Sequence, residues 1–398
     1  EIPDDQPSVS AGRDVYNATQ EQLRTLIEAS ANSSAPAAKQ IGGLYKSFMN
    51  EAAVESLGAK PLMADLARIA AAPDKAALTM LMAKTHGGYG ASIFGLQPYA
   101  DAKKPVTALY IGQDGLGMPD RDYYLTDQFK AKKDAYAAYI LRTFKLIGYA
   151  APEASAKAVL DFETRLAEAG WPAAERRDFD KTYNPMTLGA LQSYAPQIDW
   201  RAYLDAAGVG DTANIVLVEN TAVQKLSRIY AETPLDTLKA WQAFRATSAA
   251  SPYLSKRFVD SRFEFVDKAL SGTPQIRPRW KRGVDLVGNL LGEAVGREYV
   301  AKYFPPASKT KMDALVANLK KAMVARIDNL VWMAKKTKVE AQAKLAKMKV
   351  LVGYPDKCRD YSALKVDPSD LNGNVARAFA FEWAYQVGKV GKPVDPGE

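Results

Sequence analysis

Apolar residues recur at spacings of three and four along most of this chain, a period that admits helices and little else. From Met312 the stripe runs Leu315, Leu319, Met323, Ile327 and Leu330, which is one face of a long amphipathic helix. Thr337 and Glu340 then form a T-x-x-E capping box. The spacing predicts a second helix from Thr337 through Ala341, Leu345 and Met348, stopped by Gly353-Tyr354-Pro355. Pro152 suits a first turn, Val159, Phe162 and Leu166 make its stripe, and Gly170 closes it. Thr233-Pro234 reads as an N-cap followed by a first-turn proline, with Asp236 near the positive end of the helix dipole. Residues 20–29, 62–71, 75–84 and 130–147 carry the same period. Strand signal is confined to residues 106–111 and, more weakly, 215–218. No fixed repeat period points to a solenoid. The expected fold class is all-α, a large multi-helix domain with at most a small β-hairpin.

Composition limits the chemistry. The 398 residues include one histidine, His86, and one cysteine, Cys358. A single cysteine forms no internal disulfide, and a single histidine rules out H-E-x-x-H, whose two histidines lie one turn apart on a helix face. A Ser-His-Asp or Cys-His set would have to use His86, which sits beside Gly87-Gly88 with no G-x-S-x-G elbow in the chain. Neither G-x-x-x-x-G-K-[ST] nor G-x-G-x-x-G occurs. Carboxylates at Glu163 and Glu168, and at Asp120 and Asp122, sit near Arg165 and Arg121 and read as ion-paired rather than as acid–base groups. The net charge of +8 comes largely from late lysines such as Lys320, Lys321, Lys335, Lys336 and Lys338. They fall on polar helical positions without interleaved aromatics, so they describe solvated helix faces and no nucleic-acid platform. No apolar run approaches the roughly 20 residues that span a bilayer.

Several ordered segments resemble the neprilysin-like (M13) zinc metallopeptidases. IGGLYKSFMNEAAVESLGAKPL (41–62) is similar to the family's Y-x-S-C/F-M-N-E…G-x-x-P-L stretch, and GLGMPDRDYYL (115–125) to its G-L-G-L-P-x-R-D-Y-Y. ETRLAEAGWPAAERRDFDKTYN (163–184), AVGREYV (294–300) and LVWMAKKTKVEAQAKLAKMKVLVGYPD (330–356) follow in family order, and the opening Ile2-Pro3 resembles the family's I-P segment. The chain departs from the pattern at Ala334, where the family has Asp, and at Cys358, where Trp is common.

The resemblance implies a helical cap lacking the H-E-x-x-H part, so no catalytic residue and no metal ligand is expected in this chain. Zinc would be bound outside it, in the complete enzyme, which would hydrolyse internal bonds of short peptides. Arg13 and Asp14, which follow the I-P segment, are the candidates for lining the substrate cavity. Asp120, Arg121, Asp122, Tyr123 and Tyr124 are expected to be architectural: a turn whose arginine makes bidentate pairs and whose tyrosines pack with a polar tip. The expected organisation is an N-terminal segment over 1–35 that docks on the catalytic domain, a cap over 36–365, and a connection over 366–398 ending in an exposed Gly/Pro linker. The partners implied are a peptide substrate and the remaining catalytic part, as a second chain from a break near Glu398, with no nucleic acid and no membrane span. The location implied is periplasmic or extracellular. A stand-alone helical module that binds peptides or proteins without cleaving them is the alternative.

Overall fold

The computed structural model describes residues 2–6, 8–395 and 397; Glu1 and Glu398, at which the sequence reading placed chain ends, lie outside them. Helices dominate, with one small sheet. The locally punctuated helices appear where the period places them. Lys75–Lys84 is capped by Asp74, which accepts from the Ala77 amide at 2.8 Å. Lys130–Ile147 closes at Gly148 in the left-handed region (φ 65°), where a side chain would be strained. Pro152–Ala169 opens on its proline and ends at Gly170.

Other boundaries differ for identifiable reasons. The helix after Thr233 is Leu235–Ala250, with Pro234 at the cap position. The Thr233 hydroxyl donates back to the Ile229 carbonyl at 2.6 Å instead of capping forward. The capping box at Thr337 does not form, because the helix Lys335–Lys347 starts two residues earlier behind Ala334. The first helix, Ala11–Ser30, is twice as long as its apolar stripe suggests, and the Ser10 hydroxyl accepts from the Arg13 amide at 3.1 Å to start it.

The sheet has the order β1-β2-β4-β3. β1 (Phe94–Ala100) and β2 (Thr107–Gln113) form the hairpin, β4 (Ile215–Leu217) pairs parallel to β2, and β3 (Asn184–Met186) is antiparallel to β4. The inward residues Phe94, Leu109, Ile111, Ile215 and Leu217 are fully buried in the larger of two apolar cores. Ile27, Ile41, Leu44, Val287, Val295 and Val375 build the smaller core, which packs the first helix against Pro36–Met49, Arg279–Leu290 and Gly292–Tyr303. The helix Leu371–Val387 joins the two: Val375 and Ala378 enter the smaller core and Trp383 and Val387 pack on the larger.

The tail is more fixed than its Gly/Pro composition suggests. Thr107 donates to Lys392 O at 2.8 Å and Gly391 donates back to Thr107 O at 2.9 Å, which ties residues 391–394 to the edge of the hairpin. The stripe from Met312 shows the reverse. Pro306–Asp328 and Lys335–Lys347 pack on each other as an arm, yet only Ile327 of the stripe is buried. Leu319 is 60% exposed and Trp332 74%.

Candidate functional site

A cleft of about 350 Å³ opens where the N-terminal segment crosses the end of the helix Lys256–Phe263 and the start of Arg279–Leu290. The segment is held there by hydrogen bonds: the Gln275 amide to Asp4 O at 3.0 Å, the Gln275 side chain to Asp4 Oδ2 at 2.9 Å, and Lys281 Nζ to Asp5 Oδ2 at 2.8 Å. The Lys281 bond holds the Asp5 carboxyl below its usual pKa. One wall is a seven-residue π-helical turn, Glu264–Leu270, that carries Asp267 into the lining.

Five cationic side chains line this cleft: Arg13, Arg262, Arg277, Lys281 and Arg282. They are not equally compensated. Arg277 pairs with Asp285 Oδ2 at 2.6 Å and donates to Tyr16 Oη at 3.1 Å. Tyr16 Oη and Gln20 Nε2 both donate to Asp285 Oδ1 at 3.0 Å. Burial opposes the Arg277 charge, but Asp285 outweighs it and raises the pKa. Arg282 has the opposite balance: burial, then repulsion from Arg279, lowers its pKa. Burial raises the Asp267 pKa although Arg262, Arg277 and Arg282 pull it down.

The structure separates the residues singled out in the sequence. Arg13 lines the cleft, with its guanidinium 5.4 Å above the Tyr16 ring, whereas Asp14 is exposed and is not part of the lining. Asp120 to Tyr124 lie elsewhere, around a buried carboxylate. Glu163 is fully buried and accepts from Tyr124 Oη (2.6 Å), Tyr136 Oη (2.8 Å) and the Gly117 amide (3.1 Å) on one oxygen. Its other oxygen accepts from Trp241 Nε1 at 2.9 Å and faces Arg245 at 3.8 Å. The Tyr124 hydroxyl also accepts from the Gly117 and Met118 amides, at 2.9 and 3.0 Å. Burial works against the Arg245 charge, but Glu163 holds it in place and raises its pKa.

Of these five residues Tyr124 is the one bonded to the buried carboxylate, and two expected pairings do not form. Arg121 donates to Ala167 O at 3.1 Å and lies 3.7 Å from Asp122, with no bidentate pair. Arg165 turns outward to Glu232 at 2.8 Å, leaving Glu163 to Arg245. Asp120 bonds Arg176, and Tyr123 stacks on Phe129 with ring centroids 4.1 Å apart.

His86 is a packing residue. Its Nε2 lies 2.9 Å from Tyr203 Oη and its ring stacks on Trp383 at 5.2 Å. Burial lowers its pKa to about 4, so it is neutral at pH 7. Among the described residues no group of three His, Cys, Asp or Glu side chains could hold a metal, and no helix is long and apolar enough to cross a membrane. The donor set of the described residues does not fit a catalytic zinc.

Comparison with known proteins supplies the wider frame. The model for the N-terminal part of peptidase family M13 matches residues 1–355. Human endothelin-converting enzyme 1 is 28% identical over 96% of this chain and 52% of its own length. Mouse endothelin-converting enzyme-like 1 is 30% identical over 89% of this chain and 48% of its own. The inhibitor complex of Mycobacterium tuberculosis zinc metalloprotease ZMP1 superposes with a TM-score of 0.94 at 35% identity, covering all of this chain and 62% of that one. The chain thus spans about half the length of the curated relatives it matches.

Proposed function

The chain belongs to peptidase family M13, and on that premise we propose that it forms the non-catalytic cap of a neprilysin-like zinc metalloendopeptidase acting on short peptides. The observation that carries this reading is the fit of the whole chain, at a TM-score of 0.94, onto 62% of a zinc metalloprotease. With one histidine in its sequence, the chain has no means of completing a three-ligand catalytic zinc site of the H-E-x-x-H type. Zinc and the peptide-cleaving groups would belong to the remainder that such relatives carry.

The exposed arm supports the same reading. Met312, Leu315, Leu319, Met323, Val331 and Trp332 leave a concentration of apolar surface that a finished monomer rarely tolerates. We assign that face to the catalytic remainder, whether continuous with this chain or present as a second one. The cap would close one side of the cavity, admitting short peptides and excluding folded proteins and bulk water. The segment over 1–35 would reach the catalytic part with its outer side, where Val9 and Val15 are exposed. The chain over 36–365 would form the cap body, and 366–398 would lead onward. Arg13, on the cleft wall, would meet substrate, and Asp14 would do so only from the exposed face beside it. A periplasmic or extracellular setting goes with this reading.

The test is direct. The purified 398-residue chain, dialysed against zinc and assayed on an internally quenched peptide, should retain no stoichiometric zinc and show no hydrolysis. One tightly held zinc with turnover by this chain alone would overturn the proposal.

A further inference from the structure

The charge balance of the cleft is incomplete. Asp5 is committed to Lys281 and Asp285 to Arg277. Among the described residues no carboxylate lies within ion-pairing distance of Arg262 or Arg282; Asp267 is the only other acid of the lining. A half-buried guanidinium without a paired counter-charge is costly, and around Arg282 the charges of Arg279 and Arg277 are only partly offset by Glu51 and Asp260, which pair with Arg279 and Lys256 instead. The Arg282 Nε donates to Arg277 O at 3.1 Å, which anchors the fork without neutralising it. At the cleft edge the Gln6 side chain is 8% exposed, and its Oε1 has no hydrogen-bond partner. Turning that amide over would present its NH₂ to an acceptor in the same space.

We propose that this cleft is a binding site for a compact oxyanion, a carboxylate or a phosphate, held by the Arg262 and Arg282 guanidinium groups with the Gln6 amide as a further donor. Guanidinium forks match the paired oxygens of both groups, and the anion supplies the ion-pair partner that neither arginine has among the described residues. The π-helical turn matters because it brings Asp267 beside the arginines, where one carboxylate limits the site to a small anion. The proposal goes beyond the cap reading and needs no catalytic part.

Three probes separate the sources: inorganic phosphate, acetyl-dialanine with a free carboxylate, and its C-terminal amide. Isothermal titration of the 398-residue chain in chloride buffer should show binding of phosphate or of the free-carboxylate peptide, and none of the amide. Arg262→Gln and Arg282→Gln should each weaken that binding about tenfold or more, the loss of one charge-assisted pair. Arg326→Gln, on an exposed helix face away from the cleft, should leave it unchanged. A measurement without variants accompanies these: the bound anion should protect Arg262 and Arg282 from phenylglyoxal, read by peptide mapping. The proposal is overturned if neither anion binds more tightly than about 10 mM, or if binding leaves both arginines as reactive as before. Equal affinity in folded Arg262→Gln and Arg282→Gln would also overturn it.

Discussion

Replacing Glu163 should damage this fold more than any other single change of charge. Its two oxygens, themselves fully buried, accept four hydrogen bonds and face one guanidinium. Glu163→Gln keeps the shape but removes the charge opposite Arg245 and turns an NH₂ toward groups that are themselves donors. Breaking a buried pair by removing one partner costs about 3–5 kcal/mol, and each orphaned buried donor about 1–3, not additively. We expect a loss of about 4 kcal/mol, against a total stability of typically 5–15. Arg165→Ala is the control. It removes the sequence neighbour expected to pair with Glu163, but breaks only the surface pair with Glu232, at a cost of about 0–1 kcal/mol. Urea unfolding followed by tryptophan fluorescence reads both, since Trp241 is bonded to Glu163. A loss below about 1 kcal/mol for Glu163→Gln, or one no larger than that of Arg165→Ala, would refute the reasoning.

Other outcomes follow from the same geometry. A Cβ on Gly117 would lie 1.7 Å from Tyr136 Oη and 2.6 Å from an Arg245 nitrogen, so Gly117→Ala should cost about 2–3 kcal/mol by overpacking. Gly189→Ala meets nothing within 4 Å on a helix and should be neutral or slightly stabilising in the same urea assay. His86 titrates near 6.5 when unfolded and at about 4 when folded, so between those values the unfolded chain binds more protons. Its stabilisation is present above pH 6.5 and is lost as pH falls toward 4, by at most about 3 kcal/mol. The drop in urea midpoint between pH 7 and pH 4.5 should be smaller in His86→Phe than in the unaltered chain, and an equal drop would contradict this. Leu319→Asp, at an exposed arm position, should leave the stability of this chain within about 0.5 kcal/mol while preventing its co-purification with an M13 catalytic part.

The sequence was most legible where structure is local. Lys75–Lys84, Lys130–Ile147 and Pro152–Ala169 announce themselves through period, cap and stop within a few residues. It was least legible where partners are distant. Glu163 meets Arg245 from another helix, while Arg165, two residues along, points away because positions two apart do not share a helix face. The capping box at Thr337 failed since the helix began at Lys335, leaving that threonine inside it. Three-residue β3 carries too little alternation to read, and β4, buried all along its length, showed only the weak signal at residues 215–218. The stripe from Met312 was correctly helical, but a period does not say what covers it. The cleft joins Asp5, Arg262, Arg277 and Arg282, residues whose proximity no spacing encodes, and of its lining only Arg13 carried a signal, through its place after Ile2-Pro3.

The central claim is that this chain works as the cap of a larger zinc peptidase. Intact mass spectrometry of the protein from its native source, with bound zinc quantified in parallel, tests it most directly. The account predicts these residues together with a catalytic part, in one longer chain or as a second polypeptide, and about one zinc per complex. A lone 43.4 kDa species without zinc would contradict it and leave a helical binding module.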